Sequence, residues 1–470
     1  MTDYHNTSPD LLIIGAGSAG FSAAITAAEK GASIVMVGDG EIGGTCVNVG
    51  CVPSKTIIRA VEGIYHANYA SRFNGIKGHA DITDWQLLIE QKNALVKDLR
   101  QKKYIDILSA YKNIFYINGQ AKFIDDGIIV NDIFYTPKKI IIATGSSPSL
   151  PLINGMLNVP FLTSTTAMEL IRLPKSLLVI GGGVIGVELG QMFARSGTKV
   201  TICCRSRLVP ESEPEISEAL AKYLQGEGIN ICAGISYQKI ETISKGIRLT
   251  CDKNGETDVI DAQQVLVATG RKPNTANMGL EEIGISLSPN SGVSINEYMQ
   301  TSCDNVYAVG DVIGVDMFVY MASYGGKLAA LNALNGNHKK YNHAIMPTVV
   351  FTDPQVADVG LTEQKAKEQS LDIKISTITL DYVPRFIAAR DTRGIIKLIA
   401  DKKTDRLLGA HVLAPDAGEI IQTAAMAIKF EITVEDLADS IFPYLTGVEG
   451  LKLAAQSFNK DVNKLSCCAG

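Results

Sequence analysis

Cys46 and Cys51 are the side chains with the most evident chemistry. They lie in the run Gly43-Gly44-Thr45-Cys46-Val47-Asn48-Val49-Gly50-Cys51-Val52-Pro53-Ser54-Lys55. Structural zinc sites favour two or three residues between paired cysteines and a second pair close by, and this run has neither. A dithiol that exchanges electrons with a neighbouring cofactor is the better reading. In a regular helix, Cα atoms five apart lie about 8.6 Å from each other. A disulfide needs about 4.4–6.8 Å. The helix must therefore break between the two thiols, and Gly50 and Pro53 can supply the break. A second pair stands in Leu465-Ser466-Cys467-Cys468-Ala469-Gly470. Adjacent thiols near a chain end suit capture of a soft ion such as Hg(II), which takes two thiolates in near-linear coordination. A prenylation box at Cys467 fits poorly, because Cys468 and Gly470 are unsuitable there. Incidental exposed thiols are the plainer alternative. Cys203 and Cys204 read as strand core rather than as a metal site.

The elements that must position these groups are also legible. Leu11–Ile14 is a short apolar run, as in a strand buried on both faces. Gly15-x-Gly17-x-x-Gly20 follows, then an Ala-rich helix to about Lys30, then the strand Ser33–Val37. This is a dinucleotide-binding fingerprint in its required strand–turn–helix context. A second copy, Gly181-x-Gly183-x-x-Gly186, follows Leu178-Val179-Ile180 and leads through a helix to the strand Lys199–Cys203. Two copies in context imply two dinucleotide sites; one binding copy and one structural copy is the alternative. Two further strands end alike, in Ala143-Thr144-Gly145 and Ala268-Thr269-Gly270, and a third in Val309-Gly310-Asp311. Small residues at a strand end let backbone approach a cofactor. The last 130 or so residues read as an α+β domain, with strands near Pro347–Phe351, Ile373–Leu380, Gly394–Ile399 and Leu407–Leu413. Helices are expected near Asp416–Phe430, Val434–Ser440 and Val448–Phe458.

The chain has 470 residues, enough for about three domains. Its net charge of −5 and the lack of a basic run argue against a nucleic-acid partner. Nine cysteines in so long a chain are no disulfide scaffold and fit a reducing, cytoplasmic setting. Leu11–Ala28 carries no charge, but its glycines, serines and threonine favour strand, turn and helix over a membrane span.

The two fingerprints, the Cys46–Cys51 motif, the Ala-Thr-Gly strands, the Gly310-Asp311 strand and the C-terminal domain together resemble the pyridine nucleotide–disulfide oxidoreductases. That flavoenzyme family includes dihydrolipoamide dehydrogenase, glutathione reductase and mercuric reductase. The resemblance covers essentially the whole chain. It implies an α/β fold with two Rossmann-like domains and a C-terminal α+β dimerisation domain. The expected boundaries are 1–150 with 276–340 for FAD, 151–275 for NADPH, and 341–470 for the interface. FAD would be held by Gly15, Gly17, Gly20, Asp39, Gly44, Thr45, Lys55, Thr144, Gly145 and Asp311. The nicotinamide nucleotide would be held by Gly181, Gly183, Gly186, Arg205, Arg207 and Gly270. Cys46 would exchange with substrate, and Cys51 would lie against the flavin as the charge-transfer thiolate. Lys55 would stand near the flavin, paired with Glu188; an ordinary interface ion pair is the plainer reading of that pair.

Departures from the family pattern narrow the activity. Disulfide reductases of the family carry His-Pro-x-x-x-Glu, whose His protonates the departing thiolate. The six histidines here are His5, His66, His79, His338, His343 and His411. None falls in the motif's place, where Phe442-Pro443-Tyr444-Leu445-Thr446-Gly447-Val448-Glu449 puts Tyr444 in the His position. A phenol with an ordinary pKa near 10 is a poor acid at pH 7 but can contact a metal thiolate. The segment Phe442–Gly470 is most similar to the family's mercury-reducing members, which implies that Cys467 and Cys468 pass Hg(II) to Cys46 and Cys51 of a partner subunit. The expectation is an NADPH-dependent Hg(II) reductase, a homodimer with shared active sites, in a core form without an N-terminal metal-binding domain. A disulfide reductase of the dihydrolipoamide dehydrogenase kind is the enzyme alternative, and a flavoprotein that only sequesters Hg(II) the non-enzyme one. NADPH rather than NADH is expected because Cys203-Cys204-Arg205-Ser206-Arg207 has two arginines where NAD enzymes often carry an acid. In the first unit Gly38 replaces the ribose-binding acid, with Asp39 next. Val184 stands where some relatives have a gating Tyr.

Overall fold

The computed structural model describes residues 6–125 and 127–464. It divides into two compact units. The first comprises the chain up to Thr56, Gln86–Ser149 and Gly270–His343; the second comprises Ile57–Trp85, Leu150–Thr269 and the chain from Ala344 onward.

The first unit is built on a five-stranded parallel sheet in the order Val306–Ala308, Lys139–Ile142, Leu11–Ile14, Ile34–Gly38, Ile114–Asn118. Leu11, Leu12 and Ile13 are fully buried, as the unbroken apolar run requires of a central strand covered on both faces. The helix Ser18–Ala28 follows, so the uncharged stretch 11–28 is two elements joined by the glycine turn. It packs on the helix Val319–Asn335 so closely that a Cβ on Gly326 would stand 2.3 Å from the Ala19 carbonyl oxygen. Among the described residues, no helix is long and apolar enough to cross a membrane.

The second unit holds a four-stranded parallel sheet, Asn230–Ala233, Lys199–Cys204, Ser176–Ile180, Gln264–Val267. It also holds a five-stranded antiparallel sheet in the order Thr348–Val350, Gln355–Gly360, Leu407–Ala414, Ile395–Asp401, Ile373–Thr379. The helices Ala417–Lys429, Val434–Asp439 and Glu449–Gln456 share a buried core with it. The strand Gln355–Gly360 escapes the sequence reading. Asp358 makes it look like a loop, but His411 Nδ1 lies 2.8 Å from the Asp358 carboxylate and Ser212 Oγ donates to it at 2.6 Å.

Candidate active site

Cys46 lies on the short helix Gly44–Val49 and Cys51 opens the helix Cys51–Asn68. Gly50 between them has φ −125° and ψ −111°, outside the helical region. A Cβ at position 50 would stand 2.9 Å from the Thr45 carbonyl oxygen and 3.3 Å from Cys46 Cα, so a glycine is needed for the chain to fold back there. Gly50 alone makes the break. Pro53 sits inside the first turn of the second helix, where its missing N–H costs nothing. The fold-back brings the two thiols into hydrogen-bond contact. That bond, then burial, then the charge of the neighbouring sulfur push the Cys46 thiol far up, while Lys55 pulls the other way. Of the pair, Cys46 is therefore the sulfur that holds its proton more firmly than an ordinary thiol.

The surroundings come from distant parts of the first unit. Asn48 Nδ2 donates to the carbonyls of Gly44 (2.9 Å) and Ile42 (3.0 Å), and Arg100 donates to Asn48 and pairs with Glu41. Tyr104 stands on a π-helical turn, Gln101–Ile105, packed edge-on against Phe21 at 4.9 Å. Its phenol is raised by burial and by the charges of Cys46 and Cys51. Arg271 and Tyr320 also feel the charge of Cys51. Arg271 donates to Ser146, whose hydroxyl donates to the Asp311 carboxylate at 2.6 Å. Tyr104, Arg271, Tyr320 and Ser146 carry no motif, and the sequence reading misses them.

The glycine turns fit dinucleotides. Gly17 caps the helix Ser18–Ala28 and Gly183 the helix Val184–Arg195, both without a side-chain cap, so the first helical N–H groups are left for an anion. A Cβ on Gly15 or Gly181 would stand 2.1 or 2.2 Å from the carbonyl oxygen of Ala143 or Ala268, and one on Gly20 or Gly186 would stand 2.0 Å from that of Gly15 or Gly181. Gly44 lies against Gly17, and Thr45 beside it is exposed. Thr144 and Asn274 exchange hydrogen bonds of 2.7 and 2.9 Å around Gly145, and Gly270 accepts from Ser149 N–H. An acid at position 38 has no room, since its Cβ would meet Ala16 Cβ at 2.8 Å and the Tyr116 hydroxyl at 3.0 Å. Asp39 is exposed and accepts from Gln120 Nε2 at 2.7 Å.

The two arginines behind Lys199–Cys204 differ. Arg207 Nη2 donates to the carbonyls of Pro210 (2.8 Å) and Ser212 (2.9 Å), and Val209 N–H donates to Gly182 O at 2.7 Å. Arg207 therefore ties its loop to the glycine turn, while Arg205 is exposed at the strand end.

Glu188 is buried and accepts from Phe351 N–H at 2.9 Å. Lys55 belongs to the first unit and Glu188 to the second. Tyr444 is half exposed in the turn before the helix Glu449–Gln456, beside the exposed Ile441 and Leu445. Burial pushes the Glu449 carboxyl up, and its Oε2 has no hydrogen-bond partner. Cys467 and Cys468 lie outside the described residues. Among the described residues, two clusters have metal-ligating geometry, but both already hold cations. Lys397 Nζ lies 2.8–3.0 Å from Glu213, Glu215 and Glu363. The Glu62–His66–Asp353 group has Arg195 and Arg393 at 3.0 and 3.1 Å from Asp353.

Two glycine-turn cradles, a folded-back dithiol and a five-stranded antiparallel sheet define a flavin-linked dithiol oxidoreductase. Residues 9–326 match the pyridine nucleotide-disulphide oxidoreductase model and residues 346–455 match that family's dimerisation domain, and the chain belongs to this family. It is 48% identical to a mercuric reductase of Lysinibacillus sphaericus and 49% identical to one of Staphylococcus aureus, over 98% of this chain and 84% of each relative. A mercuric reductase of Streptomyces lividans is 43% identical over 99% of both chains. Among solved structures, the Cu(II) complex of the HOCl-induced flavoprotein disulfide reductase RclA of Escherichia coli is similar, with a TM-score of 0.84 and 30% identity, over 96% of this chain and 100% of that one.

Proposed function

We propose that this chain is an NADPH-dependent flavoenzyme that reduces Hg(II): NADPH + Hg(II) → NADP⁺ + H⁺ + Hg(0). The observation that carries the reading is the Cys46–Cys51 contact across Gly50, together with Tyr444 where a disulfide reductase of this family needs a histidine. Bound FAD supplies the relay of two electrons from the nicotinamide to the metal. The turn at Gly15, Gly17 and Gly20, with Asp311, Thr144, Gly145, Gly44 and Thr45, holds that cofactor, and Asp39 takes the place of the ribose acid at the edge. The turn at Gly181, Gly183 and Gly186 with Arg205 holds NADPH, and Gly270 lines its approach. Arg207 positions the loop that carries Arg205.

Hg(II) arrives as a thiol complex. Cys46 displaces one external thiol and passes its proton to it. Cys51 displaces the other as a thiolate, and Lys55 balances the negative charge that accumulates beside it. Two electrons then reach the metal. Hg(0) has little affinity for thiolates and leaves. Tyr444 contacts the metal–thiolate complex from the partner subunit, and Cys467 and Cys468 of that subunit deliver the ion. The match to the dimerisation domain supports a homodimer, in which each site would draw on both chains, and the exposed Ile441, Tyr444 and Leu445 suit a surface covered in that dimer. A disulfide substrate would find no proton donor in Tyr444.

The test is NADPH oxidation by the purified FAD-loaded protein with Hg(II) in excess small monothiol, with volatile mercury measured in parallel. Stoichiometric oxidation with mercury vapour is expected. Rapid turnover of a disulfide such as lipoamide, without mercury vapour, would overturn the reading.

A further inference from the structure

The cysteines of the second unit are not arranged as their order in the chain suggests. Neighbours on a strand point to opposite faces, so Cys203 and Cys204 cannot act as a pair. Cys204 turns toward the glycine fingerprint, where a Cβ on Gly182 would stand 3.0 Å from its Sγ. Cys203 instead faces Cys232. The strands Lys199–Cys204 and Asn230–Ala233 run parallel, and Cys203 and Cys232 are direct partners in their register. Both belong to one apolar cluster with Cys251, Ile235 and Tyr237. Cys203 is fully buried, while Cys232 is part-exposed, so the pair has one open side.

We infer that Cys203 and Cys232 form a second thiol site, which binds a soft cation such as Hg(II) between two sulfurs. The surroundings select that class of ligand. Two thiolates among apolar side chains suit a soft ion that accepts near-linear coordination, whereas zinc wants four ligands and magnesium wants oxygens. Cys251 is the third thiol of the cluster, and its Sγ bonds the Asp258 carbonyl at 3.7 Å.

Exposure fits an entry through Cys232, the part-exposed sulfur of the pair, to which Asn230 Nδ2 donates at 3.8 Å. Loading is ligand exchange without oxidation or reduction. The Cys232 thiolate attacks a mercury bis-thiol complex and releases one external thiolate. Cys203 then forms the second S–Hg bond, and its proton leaves with the second external thiol. The site rests on neither Cys46 nor Cys51 and stands whether or not the chain reduces mercury.

The experiment uses the full-length, FAD-loaded protein with Cys46→Ala, Cys51→Ala, Cys467→Ala and Cys468→Ala, without NADPH. It is incubated with mercuric chloride in excess small monothiol, desalted, and analysed for mercury per chain. About one equivalent is expected to remain bound, because the second thiol is pre-positioned at a high effective concentration. Adding Cys232→Ala should lower retention about tenfold or more. In parallel, Hg(II) should protect Cys232 from iodoacetamide in the protein that keeps Cys203 and Cys232, as read by peptide mapping. This second measurement needs no change to the buried strand. Equal retention after Cys232→Ala, no retention before it, or unprotected alkylation of Cys232 would overturn the proposal.

Discussion

Each reactive residue here owes its role to one or two contacts. The Cys46–Cys51 hydrogen bond pushes the Cys46 thiol up, and the proposed mechanism gives Cys51 the thiolate beside the flavin. Cys51→Ser should therefore abolish the long-wavelength absorbance of the reduced holoenzyme. Cys46→Ser should keep it, and both variants should lose Hg(II) reduction. The opposite spectroscopic pattern would exchange the two roles. The arginines are sorted in the same way. Arg205 is the exposed guanidinium, and a charge-assisted bond to a 2′-phosphate is worth about 1.5–3 kcal/mol, roughly one to two decades in affinity. Arg205→Ala should raise KM for NADPH by about that factor and leave KM for NADH little changed, as steady-state kinetics with both nucleotides would show. Equal changes for both nucleotides would remove Arg205 from phosphate recognition.

At the scale of elements, a buried charge cluster joins the helix Pro214–Gly226 to the antiparallel sheet of the second unit. Lys397 is almost wholly buried on the strand Ile395–Asp401 and meets Glu213, Glu215 and Glu363 at 2.8–3.0 Å. Lys397→Met would take from the buried Glu213 its close ion-pair partner, at a cost of about 3–5 kcal/mol. A clear drop in Tm is expected, and an unchanged Tm would show that the cluster relaxes without cost. His411, on the adjacent strand, shares this network. Burial opposes its charge, but the Asp358 carboxylate at 2.8 Å, the Leu361 carbonyl at 3.0 Å and Glu213 outweigh that, so its pKa is raised. A raised folded-state pKa adds stability that is fully present below the unfolded value near 6.5 and is lost as pH rises through the folded value. The stability gap between wild type and His411→Gln, from urea unfolding, should be widest near pH 6 and narrow toward pH 9. A gap that widens with pH would contradict this sign.

The whole molecule adds the partner chain. External thiols compete for Hg(II), so the proposed delivery from Cys467 and Cys468 would proceed by relayed exchange. A tethered thiol pair reaches an effective concentration of about millimolar. Mixing Cys467→Ala, Cys468→Ala subunits with Cys46→Ala, Cys51→Ala subunits should restore one complete site per mixed dimer. Activity with a bulky dithiol complex of Hg(II) should then exceed that of the tail-variant homodimer. Verified heterodimers with no such gain would place delivery within one chain.

The amino-acid order alone determined what depends on neighbours in the chain. The glycine turns are legible because the first and third glycine of each is required by a carbonyl lying 2.0–2.2 Å from where its Cβ would be, within a local strand–turn–helix. The break at Gly50 is legible because helix geometry forbids the thiol contact without it. The loss of the motif histidine at 444 is legible by position. Tertiary structure decided what depends on distant segments meeting. Tyr104, Arg271 and Tyr320 feel the charge of Cys51 only because segments far apart in the chain come together in the first unit. Tyr116 explains Gly38 by occupying the space an acid would need. Arg207 looks like a phosphate ligand until its loop closes on Pro210 and Ser212. The strand Gln355–Gly360 is hidden by Asp358, whose polarity is satisfied by His411 from the next strand and Ser212 from a distant loop. Cys203 pairs with Cys232 rather than with its neighbour because strand alternation separates residues adjacent in sequence, and sheet register joins those that are not.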